Sequence, residues 1–238
     1  MQNRSTIRSR RSSRLLLRIL SSLLITAVLG GSLLLLPLLS WAMPDGTQRQ
    51  QIIPILGLTR DRGTAPTGTV AHVVISFGAR QDRTGLKLQF RTTPGRFSHM
   101  AQTSIEQAIR RTAQVLGLST DSWTIVFSVP YAGLTIYGES LSAMVALSTV
   151  AMAKGDEILP DHVMTGFVTP DGQIGPVGGV PLKVSAATRA HMRRVLVPDE
   201  QDVADEDWST PFMVQVSPVR TVRDAYSALT ETDLAAAR

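Results

Sequence analysis

Two stretches of the sequence contain residue types that could act together in acyl transfer. Ser142 follows Glu139 and a second serine, and it lies at the predicted start of an apolar helix. Lys183 lies four residues after a Gly-Gly pair, at the predicted start of another helix. A serine hydroxyl becomes a nucleophile when a base removes its proton, and a lysine can be that base only when its pKa is lowered. The pair therefore predicts a serine nucleophile with a lysine general base.

The surroundings of both residues favour this chemistry. Valine and leucine side chains flank Lys183, and a position in the first turn of a helix disfavours a cation by about 0.3–1 kcal/mol. Thr165, on a strand predicted between the two stretches, could orient the lysine through a hydrogen bond. The N–H groups at the helix start that contains Ser142 could hold an oxyanion.

Each of these residues also has a structural explanation, and the sequence leaves it open. Ser142 could be an ordinary helix N-cap, and Lys183 could be a surface lysine whose stem covers apolar neighbours. Glu139 could be a first-turn acid that complements the helix dipole. The serine and the lysine lie 41 positions apart in the sequence, and this spacing alone does not choose between the two explanations.

The charge balance does not indicate a nucleic-acid-binding face. The formal net charge is +5, but six arginines lie within the first 18 residues. Removing those six from the 24 basic residues leaves 18, against 19 acidic residues, so the rest of the chain is about neutral. No nucleic-acid partner is therefore predicted.

Composition also excludes several kinds of site. The sequence has no cysteine, which excludes disulfides, thiolate nucleophiles and thiolate metal sites. His72, His99, His162 and His191 show no metal-ligand spacing. The sequence contains no phosphate-binding loop that ends in Gly-Lys-Ser/Thr, so ATP hydrolysis is not expected. No metal and no cofactor is predicted.

The N-terminal region is typical of an export or anchor segment. After the arginines, residues 19–39 contain no charge, and Ser40-Trp41-Ala42 has the small residues of a signal-peptidase site. Residues 1–42 are predicted as a signal peptide or membrane anchor, with membrane association through residues 19–41. Residues 43–68 are predicted as a linker or irregular lead-in strand, and residues 69–238 as the folded domain. The arginines predict that this domain lies outside the cytoplasm.

Hydrophobic periodicity predicts alternating strands and helices in the folded domain. Strands are predicted at 70–77, 86–91, 123–129, 163–168, 173–177, 195–197 and 213–216. Helices are predicted at 98–116, 142–154, 182–191 and 221–229. The second helix is apolar nearly all round and should be the central buried one. The strand at 86–91 is predicted to pair with the strand at 70–77. The mixture predicts an α+β domain with mixed β-sheets and packed helices.

Several motifs resemble the proteolytic domain of the Lon protease family, most nearly its membrane-anchored archaeal type. Residues 138–142 read Gly-Glu-Ser-Leu-Ser, where that type has Gly-Asp-Ser-Ala-Ser. Residues 164–166 match the family's Met-Thr-Gly, and residues 172–179 match its Gly-x-Val/Ile-x-Pro-Ile/Val-Gly-Gly. The motifs recur in the family's order, and the resemblance extends from about Thr69 to Leu229.

The resemblance implies a Lon-type proteolytic fold and the hydrolysis of peptide bonds. It implies Ser142 as the nucleophile and Lys183 as the general base. Thr165 would be the partner of the lysine, with Glu139 in a supporting position. Two departures bear on rate and specificity: Glu139 replaces an aspartate, and Phe167 stands where many members have a glutamate.

The predicted function is an ATP-independent serine endopeptidase that cleaves unfolded or flexible polypeptides. The alternative from another class is a non-catalytic binding or assembly domain that retains the Lon proteolytic fold. A third interpretation is a proteolytic subunit that uses a separate unfoldase, which would require a cytoplasmic location. Assembly into a homo-oligomer is left open.

Overall fold

The computed structural model describes residues 48–59, 65–199 and 213–232. The chain divides into two units, Met1–Ala42 and Met43–Arg238, and every described residue belongs to the second. The predicted leader at 1–42, with its apolar run at 19–41, lies outside the described residues. Within the described ranges, no helix combines the length and the apolar character needed to cross a membrane.

The described part is a mixed α+β fold with eleven strands and four helices. The strands are β1 (Arg49–Thr59), β2 (Thr67–Ala79), β3 (Lys87–Phe90), β4 (Arg96–Phe97), β5 (Trp123–Ser128), β6 (Thr135–Ile136), β7 (His162–Met164), β8 (Phe167–Val168), β9 (Ile174–Gly175), β10 (Arg194–Pro198) and β11 (Gln215–Val219). The helices are α1 (His99–Val115), α2 (Ser142–Lys154), α3 (Val180–Arg189) and α4 (Val222–Thr230).

Two sheets and two short strand pairs make up the β structure. The larger sheet has the order β1-β2-β5-β3, antiparallel except for the parallel pair of β3 and β5. A parallel sheet has the order β11-β10-β7. The pair β4 and β6 is parallel, and the pair β8 and β9 is antiparallel. The α+β prediction is therefore confirmed.

Helix α2 occupies the centre of the main core, as its uniformly apolar sequence predicts. Every residue from Ser142 to Met152 is buried. The helix ends at Gly155, whose φ of 86° is the left-handed conformation that favours glycine at this position. Arg49 of β1 donates to the carbonyl of Met152 in the last turn. Contacts at its C-terminal end thus hold the helix whose first residue is Ser142.

The segment predicted as a linker or irregular lead-in strand contains an eleven-residue strand, β1, so the second of these two alternatives is the one observed. The side chains of Ile53, Ile55 and Leu56 are buried. Pro54 interrupts the sequence pattern, but β1 lies at an edge of its sheet, where proline is tolerated because one side of the strand needs no ladder hydrogen bonds.

Strand β3 pairs with β5 rather than with β2, which corrects the predicted hairpin. Strand β2 already has β1 on one side and β5 on the other, so β3 pairs with the free edge of β5. The Arg80 guanidinium ties the turn after β2 to the start of β5. It donates to the carbonyl oxygens of Gly85, Asp121 and Trp123, and to the Asp82 carboxylate. The turn is thereby held beside β5.

The strand predicted at 163–168 is interrupted at Thr165 and Gly166. Gly166 has a φ of 151°, and a Cβ there would lie 2.7 Å from the Ile174 side chain, so only glycine fits. The next residue, Phe167, covers Gly175 across the β8–β9 pair, where a Cβ would lie 2.2 Å from the ring.

Strand β7 ends at Met164, although Thr165 N–H still donates to the Leu196 carbonyl of β10 at 3.1 Å. Gly166 N–H donates instead to the Ser140 carbonyl, so the chain turns here towards the start of α2.

Candidate active site

A close approach between β2 and α3 positions the lysine. A Cβ at Gly68 would lie 1.8 Å from the carbonyl oxygen of Leu182, so any side chain at this position would displace the first turn of α3. Arg189, at the other end of the helix, donates to the Gly68 carbonyl at 2.9 Å. The sequence analysis missed Gly68, although a glycine within a β-branched stretch is the usual signal of a close backbone approach.

Lys183 is a buried residue whose side chain makes a single hydrogen bond to the described part of the chain. Its side chain is only 3% exposed, and its Nζ donates to Thr165 Oγ1 at 3.0 Å. Burial lowers the pKa of Lys183 from 10.5 to about 8. A snorkelling surface lysine would show neither feature, so that structural explanation is wrong.

Thr165 connects the lysine to the turn before Ser142. Its hydroxyl accepts from Lys183 and donates to the carbonyl of Ser140 at 3.4 Å. The next residue continues the connection: Gly166 N–H donates to the same carbonyl at 2.8 Å, and Ala143 N–H donates to the Gly166 carbonyl at 3.2 Å. When Lys183 is neutral, its amine can donate to Thr165 and still use its lone pair to accept a proton.

Ser142 is the first residue of α2, and its side chain does not cap the helix. The N-cap position is Leu141, and the helix has no side-chain cap. Ser142 is 1% exposed, and its Oγ has no hydrogen-bond partner in the described part of the chain, Lys183 included. A buried hydroxyl without a partner destabilises a fold by about 1–3 kcal/mol. The N-cap explanation is therefore wrong.

The two amides at the helix start are already engaged in this structure. Ser142 N–H donates to the Glu139 carbonyl at 2.8 Å, and Ala143 N–H donates to the Gly166 carbonyl. The sequence predicts that N–H groups at the helix start hold an oxyanion. In this structure these two N–H groups donate to backbone carbonyls instead and are not free to bind one.

A cleft of about 600 Å³ lies beside these residues. Its walls come from β1, β2, the segment before α2 and the turn before α3. They are formed by Ile55, Leu56, Gly57, Leu58, Thr59, Thr69, Ala71, Leu134, Thr135, Ile136, Tyr137, Gly138, Glu139, Ser140, Leu141, Pro176, Val177, Gly178, Gly179 and Lys183. Glu139 is the acidic residue among these and is exposed, and Lys183 is the basic one. The cleft therefore joins the two stretches singled out in the sequence.

The four histidines lie apart from one another. His72 Nδ1 forms a hydrogen bond of 2.6 Å with the Tyr131 hydroxyl, and His162 Nδ1 forms one of 2.8 Å with Asp161. In the ranges that the structure covers, no group of three or more His, Cys, Asp or Glu side chains could hold a metal ion.

The chain belongs to the Lon protease family, because the family described as Lon protease (S16) C-terminal proteolytic domain matches residues 93–227, more than half of the chain. The match includes α2, Thr165 and α3. The narrower resemblance to the membrane-anchored archaeal type stays a prediction.

Curated relatives are similar to this chain over part of their length. The Lon protease of Mycolicibacterium smegmatis is 29% identical over 177 residues, which cover 71% of this chain and 22% of that protein. The Lon protease of Escherichia coli K12 is 28% identical over 141 residues, covering 56% and 18%. That of Methanosarcina barkeri is 31% identical over 107 residues, covering 44% and 12%. The chain thus spans about a fifth or less of these relatives.

Proposed function

We propose that this protein is a serine endopeptidase with Ser142 as nucleophile and Lys183 as general base. The observation that supports the proposal is that two unusual groups both lie next to the Thr165-Gly166 segment, Lys183 through the Thr165 hydroxyl and the start of α2 through the Gly166 carbonyl. Lys183 is buried with a lowered pKa, and Ser142 is a buried hydroxyl with no partner in the described part of the chain. Both arrangements destabilise a fold, and groups that carry such a cost cluster at functional sites.

The proposed reaction is acyl transfer through a covalent intermediate. Ser142 Oγ attacks the peptide carbonyl carbon while its proton passes to Lys183 Nζ. The ammonium then gives that proton to the leaving amine as the C–N bond breaks, which leaves an ester on Ser142. Water attacks the ester carbon while Lys183 accepts its proton. The bond to Ser142 Oγ then breaks, the lysine returns the proton to Oγ, and the peptide leaves with a new carboxyl terminus. Thr165 keeps the amine oriented through its hydrogen bond.

The proposed substrates are unfolded or flexible polypeptides, cleaved without ATP. A cleft of about 600 Å³ with mainly apolar walls suits an extended segment more than a folded surface. The absence of a phosphate-binding loop from the 238 residues supports ATP independence.

An acylating active-site probe tests the assignment. A fluorophosphonate is expected to label the folded protein at Ser142 alone, and labelling should increase with pH because neutral Lys183 accepts the serine proton. Mass spectrometry of the digested adduct identifies the residue. An unmodified Ser142, together with no hydrolysis of an unfolded polypeptide with or without ATP, would favour the alternative of a non-catalytic binding or assembly domain.

We also propose an export or anchor role for residues 1–42, which places the catalytic domain outside the cytoplasm. The support is in the sequence, where six arginines precede an uncharged run of 21 residues. In whole cells the domain should resist added protease until the outer barrier is opened, and N-terminal sequencing should begin at Met43 if the leader is cleaved. A domain that added protease reaches only after the inner membrane is broken would contradict this location.

A further inference from the structure

We propose that Glu139 and Tyr137 form a subsite in the cleft that selects a cationic side chain, arginine or lysine, of the polypeptide substrate. This inference rests on the proposed peptidase function and adds a specificity to it. Both residues line the cleft, and they lie on the segment that leads into Ser142.

The Glu139 carboxylate has no cation of its own among the described residues. It is exposed at the cleft, and no hydrogen bond or ion pair joins its side chain to another residue in 48–59, 65–199 or 213–232. Other acids of the fold do have basic partners. They include Asp82 with Arg80, Glu106 with Arg110, Asp156 with Lys154 and Asp161 with Arg193. The carboxylate that faces the cleft is therefore available to a ligand.

The charge of the cleft favours a cation at this place. Glu139 and Lys183 are the two lining residues with acidic or basic side chains, and the lysine is buried while the glutamate is exposed. The surrounding walls are mainly aliphatic, which strengthens an ion pair relative to one on an open surface. An approaching side chain thus meets a negative charge.

Tyr137 supplies the second half of the subsite. Its ring is 72% exposed, although large aromatic side chains are usually buried, and it lines the same cleft two residues before Glu139. A guanidinium binds a carboxylate through two parallel hydrogen bonds and stacks on an aromatic face, so arginine can use both residues at once. Gly138 lies between them with a φ of 82°, which turns the chain sharply here.

The subsite lies close to the bond that is cut. Glu139 precedes Ser142 by three residues, a length of chain that spans at most about 10 Å. An arginine side chain that reaches Glu139 therefore belongs to a substrate residue within about three positions of the scissile bond. The selected cation is thus part of the cleavage motif and not a distant docking element.

Matched peptides test this subsite directly. A flexible fluorogenic peptide carries a single arginine at successive positions, and its partner carries citrulline, which has nearly the same shape without the charge. For the wild type, the kcat/KM ratio of the arginine to the citrulline peptide should reach about five or more at one position near the cut. Glu139→Gln should bring that ratio to about one, and Tyr137→Leu should lower it partly. Glu157→Gln removes an exposed acid outside the cleft and should leave the ratio unchanged.

Binding separates this inference from the proposed catalysis. Fluorescence anisotropy with Ser142→Ala protein measures the affinity for the same peptides without cleavage. If the wild type cleaves neither peptide but Ser142→Ala binds the arginine peptide several-fold more tightly, and Glu139→Gln abolishes the difference, the peptidase proposal fails and the subsite stands. Equal affinity for both peptides, or a preference that survives Glu139→Gln, overturns the subsite.

Discussion

Replacing Ser142 by alanine is expected to lower the rate of peptide hydrolysis by at least about a thousandfold while leaving the protein as stable as before or slightly more stable. Loss of the nucleophile removes the covalent route, and the remaining rate reflects binding alone. Stability should not fall, because the deleted hydroxyl is buried without a partner in the described part of the chain and its removal relieves an unfavourable group. Hydrolysis kinetics and thermal unfolding measure the two effects.

Ser148 provides a matched control on the same helix. It is fully buried in α2, and its Oγ likewise has no partner among the described residues. Ser148→Ala should change stability as Ser142→Ala does and should leave hydrolysis intact. Ser140→Ala should retain substantial activity. If Ser140→Ala were the inactive variant and Ser142→Ala the active one, the nucleophile would lie two residues earlier.

Replacing Lys183 by methionine is expected to abolish hydrolysis and to raise the free energy of unfolding at pH 7. Lowering the pKa of a lysine from 10.5 to about 8 corresponds to a penalty of about 3 kcal/mol for the charged form in the folded protein. Methionine has a similar length and carries no charge, so it removes the penalty. The lost hydrogen bond to Thr165 offsets the gain by about 1 kcal/mol.

The stability gain should depend on pH in a defined direction. Below pH 8 the lysine is protonated in both states, and the folded wild type bears the full penalty. Between about pH 8 and 10.5 the unfolded chain binds a proton that the folded chain does not, so wild-type stability rises with pH. The advantage of Lys183→Met should therefore shrink across this window. Denaturant unfolding from pH 6 to 10.5 measures it, and Lys87→Met, at an exposed lysine of β3, is the control.

The same titration should govern catalysis. Wild-type kcat/KM should rise through mildly alkaline pH with a midpoint near 8, because only the neutral amine accepts the serine proton. Lys183→Arg should be inactive at every pH, since a guanidinium stays protonated. An active arginine variant would mean that Lys183 supplies charge and not base catalysis, and an advantage of Lys183→Met that is unchanged at pH 10 would contradict the lowered pKa.

The helices could be predicted closely from the sequence because their signals are local. The predicted span of α2 matches the structure, since an apolar run ends in Lys154 and Gly155 and both residues favour a helix C-terminus. Ser98 caps α1 through the amide of Ala101 at 3.2 Å, and Thr221 forms a capping box at α4. The α+β class followed from the same local patterns.

The candidate site residues were named from short motifs, and their catalytic roles stay predictions. The motifs do not indicate how deeply each side chain is buried or which groups surround it. Burial of Lys183 depends on the contact between α3 and Gly68 of β2, more than 100 residues earlier in the chain. The unpartnered state of Ser142 depends on which side chains surround the first turn of α2.

Strand pairing was decided by the tertiary structure. A strand pattern specifies which face is buried, but it does not specify the partner. Strand β3 pairs with β5 because β1 and β5 already occupy the two sides of β2. The strand predicted to run to 168 breaks at Gly166, where the Ile174 side chain leaves no room for a Cβ. The ends of a helix are set by residues close to them in the sequence. Strand pairing and the burial of a charged side chain depend instead on contacts between distant parts of the chain, and these contacts exist only once the chain has folded.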